Sequence, residues 1–360
     1  MRSLAALTTT AAIALGGVAS AQTGAYTPGV TPTSPQIAPQ AVAGGATPVQ
    51  SAVHAYAAFQ KDVGDLRGAR IGNANELESA LDTGARHNRD ALGRGWIAYG
   101  AMTAAQSPAF VRGVREAAAF YGRDAVVNGM MADTGWARLL KGGDEATGMV
   151  LAATVADASR INDVAERYRE MAYSLQRQRW ANAVAPQQAM RVQRVRDLGR
   201  TDASSGAAPN PRLYAAPTTY TPWTDPTAFG GRRFWDALRG GELVTEVSAP
   251  AALAWRIKPE RAEAINRMTT IAALDALGAT AEQPQRVSQL LSEPRSNSCL
   301  EMAQLQLYQC MSAARFRYEN AFCMSQHALR DVGQCINGVA QLAPSNALAQ
   351  AIGPTTPARQ

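Results

Sequence analysis

The chain holds only three lysines, Lys61, Lys141 and Lys258, and only three histidines, His54, His87 and His327. With so little histidine there is no H-E-x-x-H, which excludes a metalloprotease site of that pattern. G-x-S-x-G, S-x-x-K and a Walker loop are also missing, so the common nucleophile and phosphate-loop signatures give no foothold. No C-x-x-C or C-x-x-C-H occurs, which removes a thioredoxin-like redox pair and covalent haem attachment. Aromatic residues make up 6% of the chain and β-branched residues are sparse, a balance that disfavours a β-rich core. A dinucleotide fingerprint needs a strand before its glycines, and none is legible. After the first twenty residues no apolar run reaches the length of a membrane span. No fixed-period repeat is found.

What is present is alanine, a favourable helix former, and an excess of arginine giving a formal net charge of +6. Met1-Arg2-Ser3 is a short positive segment, Leu4–Val18 is small and apolar, and Ala19-Ser20-Ala21 reads as a cleavage site. Residues 1–21 are therefore expected to be a signal peptide cut after Ala21, sending the mature chain to the periplasm or outside the cell. No cysteine follows the cut, so no lipid anchor is expected there. Residues 22–50 are uncharged and rich in Pro, Thr and Ala, and are expected to be a disordered tether. Export makes nucleic acid a poor partner. A basic surface outside the cytoplasm suits an envelope protein, an anionic polymer or lipid headgroups.

From Ser51 the apolar residues follow helical spacing: Val53, Tyr56, Phe59, Val63 and Leu66 form one stripe. Asn73 or Asn75 caps a second helix, on which Leu77, Leu81, Leu92, Trp96 and Tyr99 are core candidates. Ser107-Pro108 starts another, with Phe110, Val111, Val114 and Tyr121 facing inward. Asp133 caps a short helix with Trp136, Leu139 and Leu140. The longest helix is expected from Asp144 to about Ala185, stopped by Pro186, with a seam of Ile161, Val164, Tyr168, Met171 and Leu175. That coiled-coil-like seam is too short for a zipper and reads as an intramolecular contact. A last helix spans Gln187–Gly199. The expected organisation is a helical bundle over 51–200, a Pro-rich linker over 201–231, a C-terminal helical unit over 232–343 and a frayed tail over 344–360. The C-terminal unit begins with a short helix at Phe234–Leu238. Glu242–Val247 and Leu253–Ile257 could pair as a small hairpin. Helices are expected from Pro259, with Ile265, Met268, Ala272 and Leu277 inward, and from Ala281 to Leu291. The fold class is mainly α.

The four cysteines all lie in the last quarter of the chain. Cys299 and Cys310 sit three helical turns apart on one face and cannot reach each other. Cys299 and Cys335 sum to nearly the same value as Cys310 and Cys323, so two antiparallel helices folded near Phe316-Arg317 would bring both pairs together. Nested disulfides, Cys299–Cys335 and Cys310–Cys323, are expected. Two features resist this. No Gly or Pro marks a turn between Met311 and Phe322. The spacing of twelve between Cys323 and Cys335 also leaves them about a third of a turn out of phase, which a helix break or a tightened turn would have to absorb. The pairing resembles in geometry the twin-cysteine helical hairpins of small oxidised proteins, but with different spacing, so neither residues nor activity are carried over.

Two clusters could carry chemistry. Glu76, Glu78, Asp82, His87 and Asp90 share the second helix, with Asp90 placed to orient the His87 imidazole. Interleaved with Arg86, Arg89 and Arg94, they read more simply as a solvated face of i, i+4 pairs. Arg177, Arg179, Arg191, Arg194, Arg196 and Arg200, with Trp180 among them, form a basic patch suited to an anionic polymer or acidic partner, or simply a solvated helix end. His327, four residues after Cys323, lacks a second metal-spaced pair, so no metal and no cofactor are expected. The sequence favours an exported non-catalytic protein acting through protein–protein contacts. An anion-binding module comes second and an unrecognised enzyme third.

Overall fold

A computed structural model describes residues 47–202, 234–235 and 255–342. The expected signal peptide, nearly all of the expected tether, the linker after residue 202, the expected 242–247 strand and the expected tail lie outside the described residues. All described residues belong to one compact unit spanning 46–360.

Helix α1 (Pro48–Gly68) starts inside the expected tether, because Thr47 and Gln50 cap it reciprocally: the Thr47 side chain accepts from the Gln50 N–H and Gln50 Oε1 accepts from the Thr47 N–H. Its predicted stripe is buried. The expected second helix is in fact two, α2 (Ala74–Ala85) and α3 (Arg89–Ala104). Asn73 caps the first and Asn88 the second, its side chain accepting from the Ala91 N–H at 2.9 Å. Asn88 also donates its own N–H to the Thr201 carbonyl, which holds the break open. Gly95 lets α3 cross α1 closely; a Cβ there would sit 2.7 Å from the Tyr56 nitrogen.

Helix α4 (Pro108–Tyr121) begins at Ser107 as expected, yet Tyr121 is exposed rather than inward. After α5 (Arg123–Ala132), Asp133 accepts from the Gly135 N–H ahead of the short α6 (Trp136–Leu139), whose Leu139 is also exposed. Gly142, with φ +82°, makes the bend into α7 (Gly143–Leu175). That helix stops ten residues before the expected end. The cause is tertiary: residues 181–185 leave the helix to pair with the later turn, the Ala185 N–H bonding Arg315 O at 2.9 Å and the Arg317 N–H bonding Ala183 O at 3.3 Å. Helix α8 (Gln188–Leu198) follows.

Beyond the undescribed stretch come β1 (Trp255–Ile257), a 3₁₀ turn at Pro259–Arg261, α9 (Ala262–Ala276), α10 (Pro284–Leu291) and α11 (Pro294–Ala313). The described part of the expected hairpin, β1, pairs antiparallel with β2 (Ala340–Leu342), Arg256 opposite Gln341. The two helical units expected on either side of 201–231 share one apolar core: α3 packs on α1, α7, α9 and α11, and Trp96, Ile97, Met268, Ile271, Leu300 and Leu307 belong to the same buried cluster. Each such large side chain contributes about 1.5–3 kcal/mol on burial.

The cysteine helices form the expected hairpin. Cys299–Cys335 and Cys310–Cys323 are bonded, with Cα separations of 5.7 and 5.6 Å. Helix α12 (Arg317–Cys323), a π-helical segment (Met324–Arg330) and α13 (Asp331–Asn337) run continuously. The turn has no Gly or Pro; Glu319 makes it, its carboxylate accepting the backbone N–H groups of Arg315 and Phe316. The phase mismatch is absorbed by a widened turn, not a tightened one. Each π-helical residue advances roughly 85° instead of roughly 100°, so seven of them cancel most of the surplus third of a turn. The α7 seam lies against this hairpin: Ser325 Oγ donates to Ala165 O at 2.8 Å.

Candidate functional site

The break between α2 and α3 places His87 in the interior, 3% exposed, with Nε2 2.9 Å from Asp62 Oδ2 on α1. Arg86 donates to both oxygens of the same carboxylate, at 2.7 and 2.6 Å. The Phe59 ring meets the imidazole edge-on at 5.2 Å. Asp90 is not the orienting carboxylate; it is exposed and accepts from Asn297 Nδ2 at 2.8 Å. The other acids of the supposed cluster disperse. Glu76 accepts from the Gly72 N–H, Glu78 is half-buried on α2, and Asp82 pairs with Arg194. The crevice touching His87 is also lined by Ala55, Asn88, Ala91, Leu92 and Asp202, and it has no room for a water-sized sphere, far short of an ordinary ligand pocket.

Burial pushes the His87 pKa down, outweighing the attraction of Asp62. Burial also pushes the Asp62 carboxyl up, but the His87 ring nitrogen 2.9 Å away and the hydrogen bonds from Arg86 prevail and hold it low. Both shifts have the same consequence in acid. The unfolded chain protonates its histidine at about pH 6.5 while the folded chain resists, so stability falls as pH drops below that value and levels off under the folded pKa. Asp62 adds a further loss at still lower pH. Urea unfolding across pH 7 to 5 is expected to show declining stability, and His87→Gln should shallow the slope. Since burial also lowers the His54 pKa, some slope should remain. A slope unchanged by H87Q would reject this role for His87.

The six arginines of the expected patch have different surroundings. Arg177 and Arg179 are exposed past the end of α7. Arg191 is buried, with Nη1 donating to Asn320 Oδ1 at 3.1 Å. Arg194 pairs with Asp82, Arg196 lies over the Tyr308 ring at 5.7 Å, and Arg200 meets Asp197 at 3.3 Å. His327 Nδ1 sits 2.7 Å from Asp331 Oδ2, while Cys323 is bonded to Cys310. Among the described residues no group of His, Cys, Asp and Glu could hold a metal ion, and no helix is long and apolar enough to cross a membrane.

The chain matches no family model, no curated protein and no solved structure.

Two buried polar arrangements escaped the sequence. Asp157, on the inner face of α7, accepts from Tyr56 Oη and from Trp235 Nε1, each at 2.7 Å. Gln60 donates to the Tyr56 oxygen at 3.0 Å and takes a bond from Arg160 at 2.7 Å. Tyr99 packs on the Tyr56 and Trp235 rings, both with centroids 5.2 Å away. An acid on the inner face of a long helix was the available signal, but its partners lie 101 and 78 residues away. The second arrangement is Arg89, 2% exposed, whose guanidinium nitrogens have no hydrogen-bond partner among the described residues.

Proposed function

We propose that this is an exported, non-catalytic helical protein of a bacterial cell envelope that acts through protein–protein contacts. The observation carrying the contact role is the corner between α4 and α5. Phe120 and Tyr121 are 80% and 62% exposed there and meet edge-to-face at 4.7 Å. The fold does not need them, since α4 already buries Phe110, Gly113 and Val114. Gly122, at φ +89°, turns the chain sharply after the pair and leaves both rings outside. Paired exposed aromatics on a helix that also exposes arginines, here Arg112 and Arg115, have the composition of an interface centre. The oxidised state of all four cysteines supports export.

A photo-crosslinking residue at position 120, in cells of the source organism, should trap one or a few defined proteins. Phe120→Asp with Tyr121→Asp, crosslinked from a neighbouring exposed position, should abolish those adducts. The same double change should alter folding stability by no more than about 0.5 kcal/mol, as befits surface residues. Recovery of monomer alone would sink the contact role. Recovery of the chain in the cytoplasm, with its first residues intact, would sink the export half.

A further inference from the structure

Arg89 stands on α3 one turn before Gly93, on the same face. That face meets α11: a Cβ on Gly93 would lie 2.5 Å from Asn297 Oδ1 and 3.3 Å from Leu300. Three turns along the same side of α11 is Tyr308. The end of α8 closes the third side. Gly199 abuts Tyr308, a Cβ there lying 2.7 Å from the hydroxyl, and its carbonyl accepts from Gln304 Nε2 at 3.0 Å. The Asn88–Thr201 backbone bond then ties this turn to the start of α3. Arg196 lies over the Tyr308 ring at 5.7 Å; burial raises the Tyr308 pKa, and the positive charges of Arg89, Arg200 and Arg196 work against that rise.

The cluster carries more positive charge than it balances. Arg200 has Asp197, at the rim, and among the described residues Arg196 has the Tyr308 ring. Arg89 has neither acid nor hydrogen-bond acceptor on any of its three nitrogens among the described residues. Burial lowers its pKa to about 10, still well above neutrality, so the guanidinium enters the interior charged. A buried charge is ordinarily paired, and one without a partner is costly. An unsatisfied buried group of this kind points to an ion or water that completes it. We propose that Arg89, Tyr308, Arg196 and Arg200 form a binding site for a phosphate-class oxyanion, free or as a lipid headgroup. The planar fork of Arg89 suits two parallel bonds to such an anion, the Tyr308 hydroxyl supplies a donor, and the rim arginines draw the anion in. Because the Arg89 nitrogens are almost wholly covered, the turn at residues 199–202 must shift to admit it.

Calorimetric titration of the oxidised full chain with inorganic phosphate, at fixed ionic strength set by chloride, is expected to show one saturable site. Arg89→Met, which keeps the length and drops the charge, should weaken phosphate binding by more than tenfold, the equivalent of one charge-assisted hydrogen bond. Without phosphate, R89M should melt at the same temperature as the parent or higher, an outcome no ordinary structural arginine gives. Tyr308→Phe gives a second test, weakening phosphate while leaving the melting temperature in chloride nearly unchanged. Arg177→Gln, away from the cluster, should leave the titration unaltered. Vesicles of phosphatidylglycerol against phosphatidylcholine identify the source. Binding to the anionic vesicles that R89M removes means a headgroup; binding to phosphate alone means the free ion. The proposal is overturned by a phosphate titration indistinguishable from chloride, or by R89M and Y308F that both bind phosphate as the parent does.

Discussion

Replacing Trp235 with alanine is expected to remove about 5 kcal/mol of folding stability, from a large core cavity and a lost bond to a buried carboxylate. Trp235 is 2% exposed and lies between Tyr56, at 5.7 Å edge-on, and Tyr99, at 5.2 Å. Its Nε1 donates to Asp157 Oδ1 at 2.7 Å. Truncation empties that space and leaves the oxygen without its indole donor in a medium that cannot hydrate it. Trp235→Phe separates the two contributions. It retains most of the ring and loses the N–H, so it should cost about 1–3 kcal/mol, the desolvation penalty of one buried polar group. Urea unfolding followed by far-ultraviolet circular dichroism reads both variants without relying on the removed fluorophore. A loss below about 1 kcal/mol for W235A, no more than a routine substitution costs, would show that the indole is not seated between α1, α3 and α7.

The same residues mark where the sequence speaks and where it is silent. Phe234-Trp235 was visible as an apolar pair in a short expected helix, and both are helical and buried. Their destination was not visible, because nothing local says that an indole will seek an acid 78 residues earlier. Helical periodicity marked α1, the start of α4 and the α7 seam correctly, since each is a local pattern answering to one buried face. It failed at the end of α7, where residues 181–185 exchange helical bonds for bonds to Arg315 and Arg317. The α2–α3 break was half legible: Asn88 before Arg89 and Asp90 is an N-cap signal, masked by the apolar spacing that continues across it. Local spacing points His87 to Asp90; Asp62, on another helix, takes that place. Arg89 gave no signal, because a lone arginine among charged neighbours reads as surface. Only the space left by Gly93 explains how α11 comes close enough to bury it.

The nested cysteines were legible because the constraint is arithmetic, and they support the second large effect. Cys310→Ala with Cys323→Ala should lower stability by about 3 kcal/mol and Cys299→Ala with Cys335→Ala by about 4 kcal/mol, from the chain-entropy cost of their loops. Those loops span 13 and 36 residues. Nesting makes the two values less than additive. With the inner bridge closed, the outer loop is effectively only about two dozen residues long, so its own contribution drops toward about 3.5 kcal/mol. Removing all four sulfurs should therefore cost about 6–7 kcal/mol, comparable with the whole stability of many domains. The urea m-value should also rise, since an uncrosslinked unfolded chain exposes more surface. The hairpin has a further stake in the bridges. Its turn lacks Gly and Pro and rests on Glu319, and its second arm holds phase through a π-helical segment, whose hydrogen bonding is less favourable than that of an α-helix. Each sulfur bridge pins one side of that segment, at Cys323 and at Cys335. Hydrogen exchange at Met324–Arg330 should accordingly quicken in either double variant before the rest of the fold loosens. Protection there that matches the parent in both variants would mean that packing against α7 holds the widened turn without the bridges.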